Sequence, residues 1–488
     1  MLKLVNNNQT EKLMVDAKTL LVRALRWLVF PLAALVLLVV GALVYLGIPR
    51  NAAGMAAKGI CSAAWVGGRP TAQLMAEEVL PASPVLKAIS VTIDEAQHTV
   101  TARFAGMVSR RAVLVRDRGC VLDVEPDPQA QPYKPQADRA TPWPQGELAL
   151  SPDQWGAGVD AQKLSRVADE VFVGAGDPTA ANARGFAVVH RGRLLLVRDA
   201  PGFVAGTALH GWSMTKTITG MLTHKLSAEA GLPMDASVVN AFPAGREPAW
   251  VAAWRKDARK DIKVSDLLYM RDGLQSTEDY EPWGSVPQML WGASDAAAWA
   301  AAHPVEAPAG KRWRYLSATA NLLAAVDRGR SASDAEYWAY PAKALFEPIG
   351  ARSATMETDA HGNWVGSSYL WASVADWARL GELVLRDGKW GDVQVLPPGW
   401  LKRASTPSIS EGPGLGYGAQ SWLYGNRVAG DCKAYPGVPE DTVAMGGHWG
   451  QMVAVVPSHD AVVVRMGWIH GPYDECKLLS DVVSTLSK

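Results

Sequence analysis

The longest uninterrupted apolar run lies near the start of the chain. Residues 27–48, WLVFPLAALVLLVVGALVYLGI, carry no charge over 22 positions. A helix of that length spans ~33 Å at ~1.5 Å per residue, enough for a bilayer core of ~30 Å. A soluble helix of six turns keeps a polar face, and this run has none. The pattern therefore predicts a membrane span. Lys3, Lys12, Lys18, Arg23 and Arg26 precede it, against Glu11 and Asp16, while only Arg50 and Lys58 follow closely. The positive-inside rule then puts the N-terminus in the cytoplasm and everything after residue 50 outside, as in a single-pass inner-membrane protein with a periplasmic or extracellular body. NAAGMAA, just beyond, offers small residues for signal cleavage. The apolar run is longer than the ~7–15 residues of a signal peptide, which favours an uncleaved anchor.

Periodicity changes after that. Residues 85–124 alternate as strands (VLKAISVTID, HTVTARFAG, RAVLVRDRGCVLDV). Residues 125–157 are rich in Pro, Gln, Asp and Gly and read as a linker or an extended wrapping segment. SPDQWGAGVDAQKLSRVADEVF predicts a capped helix, and GFAVVHRGRLLLVRDA a hairpin turning at Arg191–Gly192. A helix-rich middle follows. MVAVVPSHDAVVVRMGWI then predicts a second hairpin, and ECKLLSDVVSTLSK a final helix. Strands at both ends around a helical block imply an α+β fold, an α/β sandwich. Its antiparallel sheet would be flanked by the terminal helices, with a helix-rich second lobe. The expected organisation is a tail over 1–26, an anchor over 27–48, a β-rich extension and linker over 51–150, and a main domain over 151–488.

Composition narrows the function. Hydrophobic residues at 48% and charged residues at 20% exclude disorder along most of the 488 positions. Lys+Arg and Asp+Glu are 48 each, a neutral balance that disfavours nucleic acid as a partner. No Gly-x-Gly-x-x-Gly or Walker loop occurs, and His190, His210, His224 and His303 lack metal-ligand spacing, so neither a cofactor nor a metal is expected. Four cysteines permit three pairings. Export favours the two sequence-local disulfides, Cys61 with Cys120 and Cys432 with Cys476; zinc is the alternative, but no Cys-x-x-Cys accompanies them.

Three short motifs carry candidate chemistry. Ser213-Met214-Thr215-Lys216 opens a helix, and a spacing of three puts Ser213 and Lys216 on one face. A serine hydroxyl needs a neighbouring base, and burial lowers a lysine pKa enough to help supply one. Ser213 is the only serine with a lysine three residues later. Tyr315-Leu316-Ser317 again precedes a helix, and Tyr315 is placed to act as a phenolate base and then as an acid. Gly446-Gly447-His448-Trp449-Gly450-Gln451 enters a strand, where the N–H groups of Gln451 and Ser213 would form an oxyanion hole.

In this order the motifs resemble the serine β-lactamase and penicillin-binding protein superfamily, closest to its class C-like branch with 6-aminohexanoate-oligomer hydrolases and esterases. The resemblance covers roughly residues 155–488 and implies a β-lactamase/transpeptidase-like fold. It implies Ser213 as acylated nucleophile, Lys216 as its deprotonating partner and Tyr315 as general base and acid. His448-Trp449-Gly450 would take the Lys-Thr-Gly position. The loop GLQSTEDYEPWG would be the active-site loop, with Tyr280 contacting substrate. Two departures stand out. Ser317 replaces the Asn of Tyr-x-Asn, and His448 replaces a cationic lysine that would hold a substrate carboxylate. Both point to esters or simple amides rather than β-lactams. The expected function is a membrane-anchored serine hydrolase. The alternatives are a D,D-peptidase or β-lactamase and, from another class, a catalytically silent binding protein of the same fold. Trp27 would lie at the membrane interface, and Trp212, Trp283, Trp313 and Trp449 fall beside the motifs, as an aromatic-walled acyl pocket would need.

Overall fold

The computed structural model describes residues 32–177, 179–425, 432–471 and 473–488, together with Met14, Val29 and Phe30. The basic tail apart from Met14, and Trp27 and Pro31 of the apolar run, lie outside the described residues. Helix α1 (Leu32–Tyr45) exposes its large apolar side chains, among them Leu35, Leu37 and Leu38. Gly47, at φ +71°, turns the chain into α2 (Ile48–Cys61). No single helix among the described residues is long and apolar enough to cross a membrane. α1 passes that test only jointly with Ile48–Val66, at a bend of 55°.

α2 departs from expectation. The sequence reads as β-rich from residue 51, yet its first element is a buried helix. Small residues explain this. A Cβ on Gly54 would lie 2.6 Å from the Trp291 carbonyl oxygen, so the helix approaches the body as only glycine and alanine allow. Strands β1 (Ile89–Asp94), β2 (Thr99–Phe104), β3 (Val108–Val115) and β4 (Gly119–Leu122) then form an antiparallel meander against α2. Cys61 at the end of α2 is bonded to Cys120 on β4. Buried Glu357 ties the unit to the rest: it pairs with Lys58 at 2.9 Å and accepts from Cys120 N (2.7 Å), Ser62 Oγ (2.9 Å) and Trp371 Nε1 (2.8 Å). The proline-rich stretch that follows wraps the body, with Tyr133 N donating to Trp65 O and Arg379 Nη2 to Gly146 O.

The main body begins with α3 (Ala161–Val171), whose N-cap Asp160 accepts from Lys163 N at 3.0 Å. After it come β5 (Ala183–His190), β6 (Arg193–Asp199), the short β7 (Leu209–His210) and α4 (Met214–Glu229). Short helices fill residues 251–301, and α5 (Ser317–Arg330) closes that lobe. Next are β8 (Thr355–Met356), β9 (Leu370–Ala372), α6 (Val374–Leu385), β10 (Val443–Gly447), β11 (Gln451–Val456), β12 (Ala461–Gly467) and α7 (Glu475–Val483). Five strands make an antiparallel sheet in the order β10-β11-β12-β5-β6.

Period-two alternation divides that sheet between two cores. Val188, Ala454 and Val463 face α3 and α7, while Val189, Val453 and Val462 face α6. Both faces are covered, which is why these strands read as unbroken apolar runs. Cys432 is bonded to Cys476 at the start of α7. The residues of α2 belong to the same buried cluster as α4, α5 and α6, so the N-terminal unit and the body share one core.

Candidate active site

The chain enters the site through backbone strain. Trp212 has φ +47°, a conformation costly for a bulky side chain, and it precedes Ser213 at the N-cap of α4. That kink presents the Ser213 side chain at a helix start, where N–H groups and the dipole favour developing negative charge. One turn on, Lys216 is fully buried. Its Nζ donates to Ser213 Oγ (2.9 Å), Ser317 Oγ (2.9 Å) and Ser367 O (3.0 Å), and it lies 4.8 Å from the centre of the Tyr315 ring. Burial lowers the Lys216 pKa to about 8, with Glu278 opposing the drop. A sizeable fraction is then neutral at mildly alkaline pH, which ordinary lysines do not achieve.

Tyr315 differs from expectation in its electrostatics. Burial pushes its phenol well above the ordinary value, Tyr417 and Glu278 add to the rise, and a hydrogen bond with Ser213 opposes it. A phenol held so firmly protonated is a donor rather than a base. The acceptor of the Ser213 proton is therefore better supplied by Lys216.

Glu278 was not singled out in the sequence. Its carboxylate accepts from Ser317 N (2.6 Å) and Ser317 Oγ (2.6 Å), and it stands 4.0 Å from Lys216 Nζ. Ser317, the residue in the Asn position, thus bridges a carboxylate and the buried lysine. Tyr280 of the same loop stacks on His448, with ring centroids 4.3 Å apart and planes 7° apart. Burial, chiefly, lowers the His448 pKa to about 4, with His470 and Lys216 adding to it. The imidazole is therefore neutral at pH 7 and supplies no cation for a carboxylate.

The third motif is shifted from its expected place. Gly446 and Gly447 end edge strand β10, and His448–Gly450 form the turn to β11, with φ +61° at Trp449 and +80° at Gly450. These angles are incompatible with a strand, so the strand-borne position falls on Gly446–Gly447 rather than on His448-Trp449-Gly450. Gln451 faces Gly447 across the hairpin, and its side chain is spent on His448 O, Trp449 O and Gly467. Both polar groups of Ala444 bond Trp422, on the side away from β11. Alternation along an antiparallel strand then aims the Gly446 N–H to that same side, away from β11. Gly446 lines the cleft with Ser213, and Gln451 does not. A Cβ on Gly447 would lie 2.4 Å from Gly211 O, which is how closely this strand end meets the turn before Ser213.

The cleft holds about 510 Å³ and is lined by Ser213, Glu278, Tyr280, Tyr315, Trp422 and Gly446 among others. Trp212 and Trp449 stand together, ring centroids 5.1 Å apart, and Trp313 packs on Tyr417 behind Tyr315. Trp283 is 47% exposed and does not line this cleft.

A profile of the Beta-lactamase family matches residues 169–472. No curated protein matches the chain. Among solved structures, a candidate 6-aminohexanoate-dimer hydrolase from Bacillus anthracis aligns at TM-score 0.51 and 19% identity, covering 62% of this chain and 78% of its own. A candidate beta-lactamase from Bacteroides dorei aligns at 0.53 and 14%, covering 67% and 99%. EstCE1, a hydrolase with promiscuous acyltransferase activity, aligns at 0.52 and 16%, again covering 67% and 99%. At such identities these likenesses bear on the fold alone. The profile match spans more than half of the chain, which belongs to the beta-lactamase family of serine hydrolases.

Proposed function

We propose that this protein hydrolyses an ester or simple amide through an acyl-enzyme on Ser213, working outside the membrane on an N-terminal anchor. One observation carries the chemistry: a fully buried lysine, with its pKa lowered to about 8, donates to Ser213 Oγ at 2.9 Å. Neutral Lys216 takes the Ser213 proton as Oγ attacks the carbonyl carbon. The N–H groups of Ser213 and Gly446 receive the oxyanion. Tyr315, held protonated, donates to the leaving group, and Lys216 helps return its proton. Water then attacks the acyl carbon, its proton passing to Lys216 and from there to Ser213 Oγ as the acid leaves and Ser213 is restored. The neutral His448 and the missing amide at Ser317 favour substrates without a carboxylate or acylamino group. The exposed apolar side chains of α1, the basic residues ahead of the apolar run and the two disulfides support an anchor and an exported body.

A fluorophosphonate probe should label Ser213 in the wild-type protein and fail on Ser213→Ala. An unlabelled wild type, inert toward every p-nitrophenyl ester, would leave a silent binding protein. Stable acylation by a labelled penicillin would move the assignment to cell-wall chemistry. Protease treatment of intact spheroplasts should digest the body; full protection would refute the outward topology.

A further inference from the structure

A second cavity, of about 430 Å³, backs onto the catalytic cleft. Tyr280, His448 and Trp449 line both spaces, so the two adjoin along the Tyr280–His448 stack, and Trp212, next to Ser213, also lines the second. The far wall comes from the N-terminal unit: Met55 of α2 and Ala82–Leu86 ahead of β1. Those residues lie outside the span matched by the family profile, 169–472. Asn51 Nδ2 donates to Pro282 O at 3.0 Å, which fixes α2 to the loop carrying Glu278 and Tyr280. The volume falls within the ~300–1,000 Å³ of small-ligand sites.

We infer that this cavity binds the neutral acyl chain of the substrate, an inference that rests on the hydrolase reading above. Met55, Leu86 and Trp291 offer an apolar surface beyond the stack, and Trp291 is fixed by donating to Tyr369 Oη at 2.7 Å. No lysine or arginine lines the space, whereas Asp279 and Glu281 do, so an anionic group would meet repulsion without a counter-ion. Repulsion excludes an anionic chain, and the apolar wall of Met55, Leu86 and Trp291 selects an uncharged one, the acyl part of a longer ester or amide with the scissile carbonyl at Ser213. The N-terminal unit, in consequence, sets specificity.

The test uses the full chain with Ser213→Ala, so that turnover does not compete with binding. The methyl ester of a bromine-labelled dodecanoic acid is titrated while tryptophan fluorescence is read. Bromine quenches indoles that it touches, and Trp212, Trp291 and Trp449 line the cavity. Saturable quenching is expected, weakened at least tenfold by Met55→Glu and by Ala82→Phe, with melting curves confirming that each variant is folded. In the Ser213-intact protein, kcat/KM should rise about fourfold per CH₂ added to a p-nitrophenyl ester, until the cavity is full. Absence of saturable quenching, or quenching unchanged in both folded variants, overturns the acyl site even if Ser213 labels normally. Saturable quenching in a protein whose Ser213 never labels keeps the site and removes the chemistry instead.

Discussion

Two lysines among the described residues lose their water, and each has a glutamate nearby. Lys58 lies 2.9 Å from Glu357, whose carboxylate is also held by Cys120 N, Ser62 Oγ and Trp371 Nε1. Lys216 lies 4.0 Å from Glu278, and between them stands the Ser317 hydroxyl. Burial is the largest influence on both and lowers both pKa values. Contact makes the difference. Lys58 meets a carboxylate already saturated with donors, an arrangement that holds two parts of the chain together. Lys216 meets two hydroxyls, which both donate and accept, so a proton has somewhere to go. A buried lysine is structural or reactive according to what its ammonium touches.

The largest effect should come from the reactive pair. Ser213→Ala should lower kcat by roughly 10⁴–10⁶-fold in an ester assay with folding intact. A residual rate within a hundredfold of wild type would remove Ser213 from the chemistry. The structural pair should respond in stability instead. Glu357→Ala leaves Lys58 buried without its carboxylate, a change that costs roughly 3–5 kcal/mol in denaturant unfolding. A loss below about 1 kcal/mol would mean that the two pairs do not differ as described. Ser317→Ala deletes a hydrogen bond to a charged group, worth ~1.5–3 kcal/mol, so kcat/KM should fall roughly ten- to a hundredfold. Restoration by Thr but not by Val would tie the loss to the hydroxyl.

The smallest effect concerns pH. Glu278 raises the proton affinity of Lys216, so Glu278→Gln should lower the Lys216 pKa from its value near 8. Because the neutral amine is the active form, the acid limb of kcat/KM should then move to lower pH. An unmoved or raised limb would show that Glu278 acts only by holding Ser317.

Legibility in the sequence followed distance along the chain. Ser213 and Lys216 are one turn apart, so helix geometry alone puts them on a common face. The terminal helices and the two hairpins were equally local, being periodic runs bounded by turn residues and caps. Glu278 was not legible, because it meets Ser317 and Lys216 only after the loop folds back over 39 and 62 positions of chain. The third motif begins two residues earlier than the sequence suggests, since nothing in GGHWGQ marks where one strand ends and the next begins. Glycine tolerates both strand end and turn, and only the positive φ at Trp449 and Gly450 decides. α2 is obscured by its composition: alanine and glycine give only a weak hydrophobic stripe, yet they allow close packing against Trp291.

That packing bears on how far the chain can be shortened. The family-matched stretch, 169–472, shares one buried core with α2, which lies outside it. Cutting the chain back to residue 169 would strip the cover of α2 from Trp291 and leave Glu357 without three of its four partners, Lys58, Ser62 and Cys120. It would also end the Asn51 bond to the loop that carries Glu278. A truncated product should therefore precipitate or melt early, and grafting the serine-bearing body onto another leader would succeed only if residues from Ile48 onward travel with it.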